Sequence, residues 1–107
     1  MQTVIIGLGA IGRMIVDALA DNESAARVAG VLVRPQRASE AREELPPHVA
    51  VFTSAEEVVA ARPDMVVECA GQAALRQYGE TLLSAGFDLM VVATGACLLY
   101  TSDAADE

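Results

Sequence analysis

Apolar residues along the chain switch between two spacings, and the switches mark out alternating strands and helices. Val4-Ile5-Ile6 is an unbroken β-branched run stopped by Gly7, the composition of a strand buried on both faces of a parallel sheet. From Ile11 the spacing lengthens. Ile11, Met14, Ile15, Ala18 and Leu19 recur with helical period and predict an inward stripe, leaving Arg13 and Asp17 on the opposite face. Asn22 is placed to end this helix in a left-handed conformation. Val28 to Val33 predicts a second strand, closed by Arg34-Pro35, because proline neither donates to a central ladder nor continues a helix.

The polar stretch from Gln36 to His48 contains Pro46-Pro47 and predicts a loop with one helical turn near Glu40 to Glu44. Val49 to Phe52 predicts a third strand. Ser54 stands three residues before Glu57, the spacing of a capping box, so a short helix starts there and Pro63 marks its end. Met65-Val66-Val67 is a fourth buried strand running to Glu68-Cys69. Gln72 to Ser84 is helical, with Leu75, Tyr78 and Leu82 inward and Gly86 as the stop. Gly79 inside that helix costs about 1 kcal/mol relative to alanine, so it is expected to permit close approach to the sheet. Phe87 to Ala93 predicts a fifth strand, ending at Thr94-Gly95-Ala96. No internal repeat is present. Strands alternating with helices imply an α/β fold, a Rossmann-type doubly wound parallel sheet with right-handed crossovers, truncated after about five strands.

Composition narrows the partners. A length of 107 residues with 53% hydrophobic content suits one domain with a real core. No apolar run approaches the roughly 20 residues of a membrane span, and no secretory signal opens the chain, so the expected location is the cytoplasm. A formal net charge of -8 without a Lys/Arg cluster argues against nucleic acid or an anionic membrane as partner. Cys69 and Cys97 lack metal-ligand spacing, so no metal site is expected and reduced thiols are the default.

The candidate chemistry lies in the loop Gly7-Leu8-Gly9-Ala10-Ile11-Gly12, which follows an apolar strand and opens a helix in a βαβ unit of about 30 residues. Gly7 permits the tight turn, Gly9 removes a side chain that would block a pyrophosphate, and Gly12 lets helix pack on strand. The helix N-terminus then offers free N–H groups to the phosphates of NAD or NADP. The second strand ends at Arg34, 22 positions after Gly12, where NAD-selective sites carry an acidic residue for the ribose 2′-hydroxyl. Arg34, with Arg37 nearby, suits a 2′-phosphate instead, or is a solvated loop arginine. Cys69-Ala70-Gly71 and Thr94-Gly95-Ala96 close the fourth and fifth strands at the edge where open α/β sheets bind ligands, and backbone contact to the cofactor is their expected role. Cys69 has no basic partner to make it a nucleophile and reads as a small buried residue beside the cofactor. Glu68 is either a proton-handling group or a strand-end carboxylate tied to backbone N–H groups, and the second fits better. His48 reads as surface.

These segments resemble the N-terminal domain of the L-aspartate dehydrogenase family. The resemblance covers Met1 to Ala96 and rests on Ile5 to Gly12, Val31-Leu32-Val33-Arg34-Pro35, Arg62 to Gly71 and Leu89 to Ala96. This chain departs from the family in having Gln72 where members commonly have histidine, and Ala93-Thr94 where they have serine-valine. The resemblance implies oxidative deamination of L-aspartate. Hydride passes from its α-carbon to the nicotinamide, leaving iminoaspartate, which hydrolyses to oxaloacetate and ammonia or feeds NAD biosynthesis. In that family the catalytic histidine and most substrate contacts lie in a C-terminal domain absent here, so no catalytic residue is named and this chain is expected to show no turnover.

Three alternatives stand beside it: the cofactor half of another oxidoreductase, such as a homoserine dehydrogenase or dihydrodipicolinate reductase relative; a nucleotide-sensing module of the potassium-transport regulatory type; and a purely structural α/β domain, which would not need three glycines at this spacing. Modules of the regulatory type end the second strand with an acidic residue, against which Arg34-Pro35 speaks. Cys97 to Glu107, Cys-Leu-Leu-Tyr-Thr-Ser-Asp-Ala-Ala-Asp-Glu, matches the translation of a transposase-type sequencing adapter over all eleven residues, which favours that origin over a natural acidic tail. The expected organisation is therefore an incomplete dinucleotide-binding domain over residues 1–96 and a foreign tail over 97–107.

Overall fold

The computed structural model describes residues 1–19, 26–92 and 98–100. Strand β1 (Gln2–Ile6) enters the glycine loop and is followed by helix α1 (Ala10–Ala18) and β2 (Arg27–Leu32). A 3-10 turn (Pro35–Arg37) then runs into α2 (Ala38–Glu44). The second half comprises β3 (Ala50–Phe52), α3 (Ala55–Ala61), β4 (Met65–Glu68), α4 (Gln72–Ser84), β5 (Leu89–Val91) and β6 (Leu98–Tyr100). The strands form one sheet in the order β3-β2-β1-β4-β5-β6. All neighbours are parallel except β5 and β6, which run antiparallel. The order in which strands are added therefore reverses at β1, with β2 on one side and β4 on the other, so the crevice for a ligand opens at the carboxyl ends of these three parallel strands.

Alternation along the strands divides the core. Val4 and Ile6 point with Leu32, Val66, Leu89 and Val91 toward Val58, Tyr78 and Leu82 of α3 and α4. Ile5 points the other way, with Val31, toward Val16 of α1 and Ala38 and Ala41 of α2. Helices thus cover both faces, which is why β1 carries no polar residue among Val4, Ile5 and Ile6. Gly79 supplies close approach: a Cβ there would lie 3.1 Å from a Leu75 methyl and 3.5 Å from one on Leu89 of β5.

Four local expectations change. The inward face of α1 is Gly12, Ile15, Val16 and Leu19, while Ile11 and Met14 stand 40% and 69% exposed. The cause is Gly12, whose Cα faces the Gly7 carbonyl so closely that a Cβ would collide with its oxygen. With Gly12 fixed against the strand, Ile11 and Met14 rotate outward. Second, the expected single turn near Glu40 is a helix starting at Ala38, held by Ala38 and Ala41 packed with Leu45 against the sheet. Third, α1 ends at Ala18 with Leu19 as its C-cap, and Asn22 lies outside the described residues. Fourth, β5 is shorter than expected, and β6 adds an antiparallel edge inside the segment read as foreign.

The box at the start of α3 is extended by one residue. Ser54 Oγ accepts the Glu57 N–H at 3.3 Å, while Glu57 Oε1 accepts from the Thr53 N–H at 3.0 Å and the Thr53 hydroxyl at 2.9 Å. These bonds, led by that from the Thr53 backbone, hold the Glu57 carboxyl below its ordinary value.

Candidate functional site

At the switch point a cavity of about 440 Å³ opens between the glycine loop, the end of β2, α2 and the first turns of α4, within the size range of small-molecule sites. Its floor is Ile6, Gly7, Leu8 and Gly9, and its walls include Arg34 and Arg37 on one side and Cys69 and Ala70 on the other. Gly7 takes φ +94°, a left-handed value open to glycine, and donates its N–H to the Leu32 carbonyl at 2.8 Å. That bond anchors the loop to β2. On its other side the Cα of Gly7 abuts Ala70, whose Cβ would be 2.6 Å from a Cβ at residue 7.

Helix α1 then starts with no side-chain cap and no acidic residue in its first turn. Its leading N–H groups and the positive end of its dipole are consequently left for an external anion. A Cβ at Gly9 would meet nothing within 4 Å, so space for that anion exists where the helix begins. These features fit the pyrophosphate of a dinucleotide.

Arg34 is exposed at the rim, and its guanidinium has no ion-pair partner among the described residues. Arg37 pairs with Glu40 at 3.0 Å and Arg13 with Glu44 at 2.6 Å. The latter ties α1 to α2 across the mouth of the cavity. The sequence places Arg13 on the polar face of α1 and Glu44 in the helical turn near Glu40 but gives no sign that they pair, because a pair 31 positions apart on two polar faces leaves no local signal.

Of the sequence-predicted site residues, Gly7, Gly9, Arg34, Cys69 and Ala70 line the cavity. Ala10, Ile11 and Gly12 form the first turn of α1 outside its lining, and Gly71 caps α4. Thr94 and Gly95 lie outside the described residues. Cys69 is half-buried, and burial, reinforced by the negative charge of Glu68, pushes its thiol up to about 11. It is therefore a protonated, weakly nucleophilic wall residue. Glu68 is fully buried, and its Oε1 accepts the N–H groups of Ala70 and Gly71 at 2.8 and 2.5 Å. His48 is exposed. Among the described residues no cluster of His, Cys, Asp or Glu is placed to hold a metal, and no helix is long and apolar enough to cross a membrane.

Comparison with known proteins agrees with this geometry. Residues 7–104 match the family described as homoserine dehydrogenase, NAD binding domain. The chain belongs to this family. It is 42% identical over 97 residues to L-aspartate dehydrogenase 1 of Bordetella pertussis, covering 90% of this chain and 35% of that protein. It is 38% identical over 93 residues to L-aspartate dehydrogenase of Brucella anthropi, covering 87% and 34%. The chain thus spans about a third of the length of these relatives.

Among solved structures, scyllo-inositol dehydrogenase from Lactobacillus casei with bound NAD(H) and scyllo-inositol superposes with a TM-score of 0.66 at 25% identity, over 84% of this chain and 27% of that one. A probable dehydrogenase from Thermotoga maritima gives a TM-score of 0.68 at 22% identity, over 85% and 27%, which shows the fold alone. Membership of this NAD-binding family and the fit of the glycine loop make the cofactor class NAD or NADP.

Proposed function

We propose that the chain is the cofactor-binding part of an L-aspartate dehydrogenase-like oxidoreductase, with L-aspartate as the small-molecule substrate of the whole protein in the cytoplasm. The observation that carries the cofactor half is the uncapped first turn of α1 facing open space at Gly9. The named relatives support the substrate. The bound nicotinamide supplies a hydride acceptor. The chain's own residues bind it: N–H groups of Gly9, Ala10, Ile11 and Gly12 toward the pyrophosphate, and the Cys69-Ala70-Gly71 wall toward the nicotinamide half, with backbone contact from Thr94 and Gly95 expected from sequence alone. On this reading catalytic groups lie beyond residues 1–96 and residues 97–107 are foreign to the domain, the adapter-like sequence of 97–107 outweighing a family match that runs on to residue 104.

Titration of the chain with NADH tests the first part, and a dissociation constant in the micromolar range, about -8 kcal/mol, is expected. No saturable binding sinks the reading. Incubation with L-aspartate and NAD should yield no NADH from this chain, and turnover by it would overturn the assignment of catalysis elsewhere. Recovery of the reading frame beyond Ala96 should add a domain that confers that turnover.

A second reading concerns the cofactor. Arg34, without an ion-pair partner among the described residues, and Arg37 suit a 2′-phosphate, so NADPH is accepted alongside NADH. Arg34→Ala should weaken NADPH binding by about tenfold while leaving NADH within about twofold. Wild-type affinity at least tenfold tighter for NADH, on the order of 1.4 kcal/mol, would reject the role of Arg34.

A further inference from the structure

Glu68 occupies a position where an apolar residue would serve the core better. Its neighbours across the sheet are Ile6 and Val91, and on its own strand Val66 points the same way into the cluster of Tyr78, Leu82 and Leu89. The carboxylate is 0% exposed. Oε1 takes two N–H groups, but Oε2 is buried with no hydrogen-bond partner among the described residues. A half-satisfied buried carboxylate costs stability that a valine would not, so its presence calls for a return elsewhere.

The two N–H groups belong to Ala70 and Gly71, the residues between β4 and α4. Gly71 has φ +111° and caps α4 without a side-chain bond of its own. The carboxylate therefore folds the turn back over the end of its own strand, and the positive end of α4 faces it. Ala70, so held, is the residue packed against the Cα of Gly7 in the pyrophosphate turn, while the Cys69 N–H bonds to the Ile6 carbonyl at 2.9 Å. Carboxylate, Ala70 and Gly7 form one continuous contact from the buried strand end to the cavity wall.

We infer that Glu68 is a positioning residue for the nicotinamide half of the cofactor: acting through the Ala70 and Gly71 N–H groups, it sets the wall beyond Gly7 without touching the ligand. This rests on the dinucleotide reading proposed above. The adenosine half lies on the β2 side of the switch point and the nicotinamide half on the β4 side, so the two should respond differently to loss of the carboxylate.

The test compares NADH and AMP binding to the chain and to two variants. Glu68→Met keeps the volume and removes the acceptor, and should weaken NADH by about tenfold with AMP within about twofold. Glu68→Gln retains one acceptor oxygen for the two N–H groups and should restore NADH to within about threefold of the parent. Unchanged NADH binding by Glu68→Met, or equal loss of NADH and AMP, overturns the inference. So does a Glu68→Met chain without a cooperative melt beside a Glu68→Gln chain of wild-type affinity, which would assign the carboxylate to folding. A parent chain that binds no NADH sinks the dinucleotide reading itself, whereas a parent that binds while Glu68→Met matches it sinks this inference alone.

Discussion

A methyl group added at Gly9 would meet no heavy atom within 4 Å, whereas one added at Gly12 would strike the Gly7 carbonyl oxygen. The same substitution at two positions of one loop therefore separates ligand space from packing. Gly9→Ala should lower stability by no more than about 1 kcal/mol, the scale of an N-cap change, yet raise the NADH dissociation constant about tenfold by filling the pyrophosphate position. Gly12→Ala should cost about 1–3 kcal/mol through overpacking against backbone. Thermal melting read beside NADH titration distinguishes them, and equal destabilisation by both would remove the case for a ligand at Gly9. Cys69 gives a second residue-scale expectation. Its proton is held to about 11 against 9.0 for an ordinary thiol, so in a Cys97→Ser chain alkylation by iodoacetamide should be slow at neutral pH and still rising above pH 10. The folded chain binds this proton more tightly than the unfolded chain. Its stabilising effect is thus complete below pH 9 and lost as pH rises toward 11.

Elements were legible in proportion to how far their pattern was local. The strands β1, β2 and β4 stand out as short β-branched runs because both of their faces are buried. The start of α3 was readable from Ser54 and Glu57, whose bonds span three residues, although Glu57 Oε1 accepts from Thr53 as well as from the Ser54 hydroxyl. By contrast α2 buries mainly alanines, Ala38 and Ala41, whose small apolar area gives little periodic signal amid Glu and Arg. The orientation of α1 depends on the contact between Gly12 and the end of β1, which periodicity within the helix does not encode. In the site, the glycine loop and Arg34 were visible as spacing along the chain, but Arg13 with Glu44 is a tertiary pairing of two helices. The cap offers the element-scale prediction: Ser54→Ala should lower the unfolding free energy by about 1 kcal/mol, since one N–H of α3 loses its acceptor. Denaturant melts with an unchanged m-value would check it. Because Glu57 is held below its ordinary value of 4.5 by bonds present only in the folded chain, its contribution is present above that pH and fades as pH falls through the lowered value.

On the scale of the whole molecule, the cavity is confined to one half of the sheet's carboxyl edge. All of its lining comes from residues between Ile6 and Tyr78, on the ends of β1 and β2, the glycine loop, the turns after β2 and β4, and helices α1, α2 and α4. Strand β6 sits two places away from β4, on the far side of β5, and touches the sheet through three antiparallel pairs, Leu89 with Tyr100, Met90 with Leu99 and Val91 with Leu98. If residues 97–107 are foreign to the domain, those pairs are an opportunistic closure of an edge that would otherwise leave β5 with unpaired N–H and C=O groups. Removing the segment should then expose that edge without reaching the cofactor. A chain ending at Ala96 is expected to bind NADH within about twofold of the 107-residue chain. It should also lose solubility or self-associate at lower concentration, because an open strand edge is a template for pairing with a second copy. Titration and sedimentation of the two chains side by side would settle the matter. A loss of NADH affinity of tenfold or more, on the order of 1.4 kcal/mol, would show that the segment supports the site and would overturn its assignment as foreign.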